Sequence, residues 1–192
     1  FLSSGISFAH RKERPVKSTH DSKEYDLMVW NISLVGCNEL ATIRPEGKME
    51  SYANYLGTSK PVTRVPDYAS ILYKEIYAFT DLRFYTKSND LKYDYILRPG
   101  ADVDRIEMKA EGIRGLRLDA SGDLLFETAW GTITEQKPYA YQVINGEERE
   151  VRISFRILSD MSYGFSVLGD YDPSVDLVID PVIVFATYRG GA

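Results

Sequence analysis

Apolar and polar positions alternate with a period of two along much of this chain. Between Val151 and Ile157 the apolar residues Val151, Ile153, Phe155 and Ile157 are separated by Arg152, Ser154 and Arg156, the signature of a strand with one face buried and one in water. The same period runs through Met28 to Leu34, Leu91 to Leu97 and Ile106 to Ala110. Trp30, Ile32, Leu34, Tyr93, Ile153, Phe155 and Ile157 fall on the apolar sides and are the expected core. Turn residues punctuate these runs at Arg98-Pro99-Gly100, Ala120 to Asp123, Ile144 to Glu147 and Tyr171-Asp172-Pro173. Short, evenly punctuated strands predict an all-β fold, an antiparallel β-sandwich or partly closed barrel-like sheets with at most one or two short helices.

Asn145-Gly146 is a two-residue type I′ hairpin signal, because both central positions of that turn need positive φ and these residues tolerate it. It should join strands near 139 to 144 and 147 to 158. A second hairpin is expected between Leu116-Arg117-Leu118 and Leu124-Leu125-Phe126, with Gly122 in its loop. Gly47 to Tyr55 could hold a helical turn or two, with Met49 and Tyr52 on one side. His10 to Glu24 is polar, lacks a period and reads as a mobile loop or a spot where sequence is missing. The run Leu177 to Phe185 is the longest nearly continuous apolar stretch, and Pro181 within it belongs at a strand end, a bulge or a sheet edge. The chain divides on this reading into an N-terminal strand and polar segment (1–24), a β-rich domain (25–181) and an outward-pointing connector (182–192).

Composition narrows the function classes. With 28 acidic against 23 basic residues and a net charge of −5 over 192 residues, the chain lacks the basic footprint of a nucleic-acid binder. No apolar run approaches the roughly 20 residues of a membrane-spanning helix. The opening Phe1-Leu2-Ser3-Ser4-Gly5 has neither an initiator Met nor a basic signal-peptide head, and reads as processed or trimmed.

Catalytic inventory is thin. A Ser or Cys nucleophile needs a base, usually His, and the two histidines, His10 and His20, both lie in the polar N-terminal stretch. Cys37 reads as a small hydrophobe beside a strand. Asp102 with Asp104, Asp119 with Asp123, and Asp170, Asp172, Asp176 and Asp180 near the end raise a calcium question, yet none forms an EF-hand loop, and Asp is a common turn residue because it bonds its own backbone. No metal and no cofactor is expected. Tyrosine is the more distinctive feature. Tyr93 and Tyr95 share one strand face, as do Tyr139 and Tyr141, so each pair is either core or an exposed stripe that could bind a partner.

Spaced motifs add a resemblance. Tyr52 to Gly57, Val65-Pro66-Asp67-Tyr68 and Asp81 to Tyr85 come first in the chain. Leu91 to Tyr95 with Arg98 to Asp102, Lys137 to Gln142 and Leu177 to Pro181 follow. In that order they resemble a bacterial domain of unknown function that precedes SBBP-type β-propeller repeats, over residues 25 to 191. Where that family has a Pro-Gly-Ile-Asp-like turn, this chain has Ala78-Phe79-Thr80-Asp81. The resemblance implies an extracellular or cell-surface place, with neighbouring propeller repeats as partners and a surface glycan or protein as a further one. It supplies no catalytic residues. The expected function is a non-enzymatic structural or adhesive module. A carbohydrate-active or calcium-assisted hydrolase, and a plain cap of a repeat array, are the alternatives.

Overall fold

The computed structural model describes residues 4–14, 24–57, 60–87 and 90–184. Among these residues fourteen strands follow one another: β1 (Gly5–Glu13), β2 (Tyr25–Leu34), β3 (Thr42–Tyr55), β4 (Val62–Tyr77), β5 (Thr80–Lys87), β6 (Asp90–Leu97) and β7 (Glu107–Glu111), then β8 (Gly115–Leu118), β9 (Leu124–Thr128), β10 (Gly131–Ile144), β11 (Glu147–Glu150), β12 (Ile153–Ile157), β13 (Ser162–Val167) and β14 (Leu177–Val184). The helical content among the described residues is a single 3₁₀ turn, Val103–Arg105. Strand pairing is antiparallel throughout and builds two sheets. The smaller has the order β1-β2-β7-β13-β12; the larger runs β3-β4-β5-β6-β14-β10-β9-β8, with β11 also paired to β10. The sheets face each other as an open sandwich, the all-β architecture that the alternating runs predict.

The facing sides carry a chain of aromatic rings. Phe8 stacks on Trp30 at 4.4 Å, Trp30 meets Phe126 at 5.1 Å and Phe126 meets Tyr163 at 5.6 Å. From Tyr163 the contacts continue through Phe155, Phe165, Tyr95, Tyr93 and Phe84 to Tyr73. Offset and edge-on pairs of this kind add stabilisation beyond the area they bury. Trp30, Ile32, Leu34, Tyr93, Ile153 and Phe155 are buried as expected, whereas Ile157 is 39% exposed. Ile157 ends the edge strand β12 at its turn into β13, where alternation continues but the opposing sheet does not.

The Asn145-Gly146 hairpin forms with φ of 55° and 84° and joins β10 to β11. The strand expected from 147 to 158 is broken at Val151-Arg152, and its second half, β12, crosses into the smaller sheet. The β8–β9 hairpin forms as well, with Gly122 at φ 88°. The Ala78-Phe79 turn stays tight, Tyr77 pairing with Thr80 across it.

Three expectations are corrected. Residues 47–55 are not helical: they belong to β3, which pairs with β4 through two register shifts, and strand pairing overrides a weak helical spacing. His10 is not in a loop but in β1, which pairs with β2 inside this chain, and its Nε2 accepts a hydrogen bond from the Trp30 indole N–H at 3.0 Å. The remainder of that polar stretch, 15–23, with His20, lies outside the described residues. Finally, β14 does not stop at Pro181, because Val182, Ile183 and Val184 pair with Gln136, Glu135 and Thr134 of β10. The rest of the expected connector, 185–192, lies outside the described residues.

Pro181 sits in an interior strand, and a bulge accommodates it. Gln136 pairs with Val182 and Tyr139 with Asp180, so Lys137-Pro138 lies opposite Pro181 alone, two residues against one. Neither proline has an N–H to donate, so the ladder loses its bonds where the register already shifts.

Replacing Phe155 with Ala removes a ring that is 3% exposed and packed on Tyr163 and Phe165. Urea unfolding should show a loss of about 3 to 5 kcal/mol; a loss below about 1 kcal/mol would place the ring outside the core.

Candidate functional site

Two clusters of ionisable groups stand out, one on each face of the larger sheet. Inside the sandwich, Glu135 of β10 is fully buried. One carboxylate oxygen accepts from the Tyr93 hydroxyl of β6, and the other accepts from the Tyr163 hydroxyl of β13 at 3.3 Å. Tyr163 belongs to the smaller sheet, so this carboxylate ties the two layers together. Burial pushes the Glu135 carboxyl up to about 7, against the pull of both hydroxyls. Burial likewise holds the Tyr93, Tyr95 and Tyr163 phenols well above their ordinary value. Tyr93 and Tyr95 are therefore core residues and cannot offer a surface to a partner. Both are nearly inaccessible, at 4% and 0%.

On the outer face the picture reverses. Tyr139 and Tyr141 of β10 stack with ring centroids 5.8 Å apart, and Tyr139 is 38% exposed. The Tyr139 hydroxyl donates to Glu148 of β11 at 2.8 Å, which raises the phenol to about 12. Asp180 of β14 pairs directly with Tyr139, and the uninterrupted register between β14 and β6 sets Asp94 beside Asp180. Arg83 of β5 is the next partner in that row. Asp94 is only 8% exposed and accepts from the Tyr85 hydroxyl at 3.1 Å. Burial, followed by the neighbouring Asp180 carboxylate, pushes Asp94 up to about 6; Tyr85, Arg83 and Lys92 pull it down.

The remaining acids singled out from the sequence work in turns. Asp102 caps the 3₁₀ turn by accepting from the Asp104 N–H at 3.0 Å. Asp119 accepts from the Ser121 and Asp123 N–H groups, and Asp123 accepts from the Lys137 N–H at 2.8 Å. Asp104 pairs with Arg156 at 3.0 Å. Asp102 and Asp104 line an open polar groove with Ser166 and Tyr171, whereas Asp119 and Asp123 lie on the β8–β9 turn. Two pairs are thus separate, and among the described residues no group of three or more His, Cys, Asp or Glu gathers as a metal cage. Cys37 is half-buried against the core, and burial raises its thiol pKa.

Glu135, Tyr163 and Asp94 were not singled out from the sequence, and Asp180 was noticed only as one of the acids near the end of the chain. Glu135 carried a signal, since it shares strand parity with the apolar Ile133. Asp94 carried none: a polar residue between Tyr93 and Tyr95 reads as an ordinary solvent-facing position.

Together the sheets define an all-β antiparallel sandwich with a polar clamp in its core and a tyrosine–aspartate face outside. A family profile described as a domain of unknown function (DUF7948) matches residues 1–182, and the chain belongs to that family. No curated protein and no solved structure matches it. Among the described residues no helix is long and apolar enough to cross a membrane.

The buried carboxylate makes stability depend on pH. Between the ordinary value of 4.5 and about 7, the folded state keeps a proton on Glu135 that the unfolded chain has released. Stability from this group is therefore present below pH 4.5 and is lost as pH rises through about 7, by on the order of 3 kcal/mol. Asp94 acts in the same direction; His10, whose pKa burial lowers, acts in the opposite one. Urea unfolding from pH 4.5 to 8 should show that Glu135→Gln gains stability relative to the parent as pH rises. Parallel profiles for the two proteins would contradict the assignment.

Proposed function

We propose that this domain is a non-enzymatic structural or adhesive module of a bacterial secreted or cell-surface protein, standing ahead of β-propeller repeats and meeting a partner through the outer face of its larger sheet. The observation that carries this reading is the Tyr139–Tyr141 stack on the outer side of the larger sheet, where Tyr139 is exposed and Tyr141 half-buried. Large planar side chains with a polar tip favour binding because they bring contact area at little conformational cost. The β-sandwich holds them on strands rather than on a mobile loop, which suits a contact made repeatedly at a surface.

The hydrolase alternative has one point in its favour, the adjacent carboxylates of Asp94 and Asp180, since paired acids can serve as acid and base. Geometry argues against it. The two residues are neighbours across one pair of strands on an open sheet face, and a hydrolytic site places its acids on opposite sides of the bond to be cleaved.

Two measurements separate the readings. Panels of glycoside, ester and peptide substrates should remain uncleaved with and without calcium, and turnover abolished by Asp94→Asn or Asp180→Asn would establish the hydrolase instead. Attachment of the fluorescently labelled domain to intact cells should fall in the Tyr139→Ala/Tyr141→Ala double variant while the melting temperature holds. Attachment that ignores this substitution would sink the proposed face.

A further inference from the structure

Independently of that reading, we infer that a second site lies on the smaller sheet, where a groove between two turns takes a neutral N-acetylated saccharide, its ring hydroxyls on the Asp104–Arg156 pair and its acetamido group in an adjoining recess.

Arg98-Pro99-Gly100 and Tyr171-Asp172-Pro173 are far apart in the chain, and the fold brings them to either side of one groove. The first leads into the 3₁₀ turn Val103–Arg105, capped by Ile106. That turn rests on β13 at Gly164, where a Cβ would come within 2.5 Å of the Ile106 carbonyl oxygen, so the approach requires glycine. The second turn is fixed from beneath. Gln142, 2% exposed, donates to the Asp172 and Val175 carbonyls at 2.8 and 2.9 Å and accepts from the Asp172 N–H at 2.8 Å. Where the same loop begins, the Leu168 and Gly169 N–H groups both donate to the Arg152 carbonyl. Walls held in this way need little further ordering when a ligand arrives.

The groove has a volume of about 410 Å³, with Arg156 of β12 and Ser166 of β13 in its floor and Tyr171 in its wall, within the range of small-ligand clefts. Its polar groups face water: the Asp104, Asp102 and Arg156 side chains are 68%, 62% and 35% exposed. Arg156 Nη2 lies 3.0 Å from Asp104 Oδ1, which leaves further N–H donors on the guanidinium and the second oxygen on the carboxylate. A donor and an acceptor side by side match neighbouring sugar hydroxyls, each of which accepts and donates, and charge-assisted bonds of this type are the stronger ones. Tyr171, 38% exposed, offers a flat surface to the C–H face of the ring. Past Tyr171 and Ala101 the groove continues into a recess of about 140 Å³ that Leu97, Pro173 and Val175 help to line, where a methyl group leaves water for apolar carbon.

Charge balance selects the class of ligand. Arg156 has Asp104 beside it, Arg98 has Glu75 at 3.0 Å and Arg105 has Asp102 at 3.9 Å. An ion of either sign must compete with a partner already in place, whereas a neutral polyhydroxyl compound adds its bonds to the pair without separating it.

The test is isothermal titration of the full chain with trisaccharides of N-acetylglucosamine and N-acetylgalactosamine, of glucose and galactose, and of deacetylated glucosamine. At least one N-acetylated trisaccharide should bind saturably, its plain-hexose and deacetylated counterparts at least tenfold more weakly. Tyr171→Ala and Asp104→Asn should each weaken binding at least tenfold, with melting temperatures within a few degrees of the parent. Tyr139→Ala, on the other sheet, should bind like the parent, so the groove and the tyrosine face stand or fall separately. No saturable binding across the panel, binding indifferent to both groove substitutions, or binding lost with Tyr139 would overturn the groove. Equal affinity for the plain-hexose trisaccharides would overturn the N-acetyl assignment.

Discussion

A carboxylate shut between two sheets is costly unless each of its oxygens finds a donor, and that requirement governs this fold. Taking an ionised acid out of water disfavours the charged form strongly. Glu135 meets the cost through Tyr93 on its own sheet and Tyr163 on the facing one. Neither hydroxyl can reach it unless β10, β6 and β13 are in register and the layers lie face to face. Apolar rings on either side would tolerate sliding of one layer over the other. A carboxylate with two specific donors does not, so the clamp selects one alignment of a core otherwise built from interchangeable aromatic contacts.

The clamp in turn depends on the bulge at Lys137-Pro138 opposite Pro181. Before it, the odd positions Ile133 and Glu135 of β10 face inward; after it, the even positions Ala140 and Gln142 do. One extra residue changes the parity of the strand. Without it, a strand that buried Ile133 and Glu135 would drive Tyr139 and Tyr141 into the core as well. The same irregularity therefore places an acid inside and a tyrosine pair outside on a single strand.

Parity also explains how far the sequence could be read. Period-two runs in β2, β6 and β12 disclosed their buried faces because no bulge interrupts them. For Tyr139 and Tyr141 the alternation left core and surface open, and only the pairing with β14 resolves it. β3 was misread since its residues are exposed on both sides over most of its length, leaving no apolar face to announce a strand. The juxtaposition of Asp94 and Asp180 was invisible for a topological reason. Asp94 and Asp180 lie far apart in the chain and become neighbours only because β14 inserts between β6 and β10. Hairpin turns are local and were legible; an inserted strand is not.

Inside and outside are mechanically joined. Asp94 lies between Tyr93 and Tyr95 on β6, and Tyr139 lies four residues beyond Glu135 on β10. Two of the strands that bear the outer row, β10 and β6, are thus the two that the inner Glu135–Tyr93 contact couples, with β14 and its Asp180 held between them. Side chains on such strands lose little freedom when a partner arrives, because the backbone carrying them is already fixed from behind. A buried polar clamp therefore has a consequence for the outer side of the sheet: it fixes the spacing between the tyrosine pair and the aspartates.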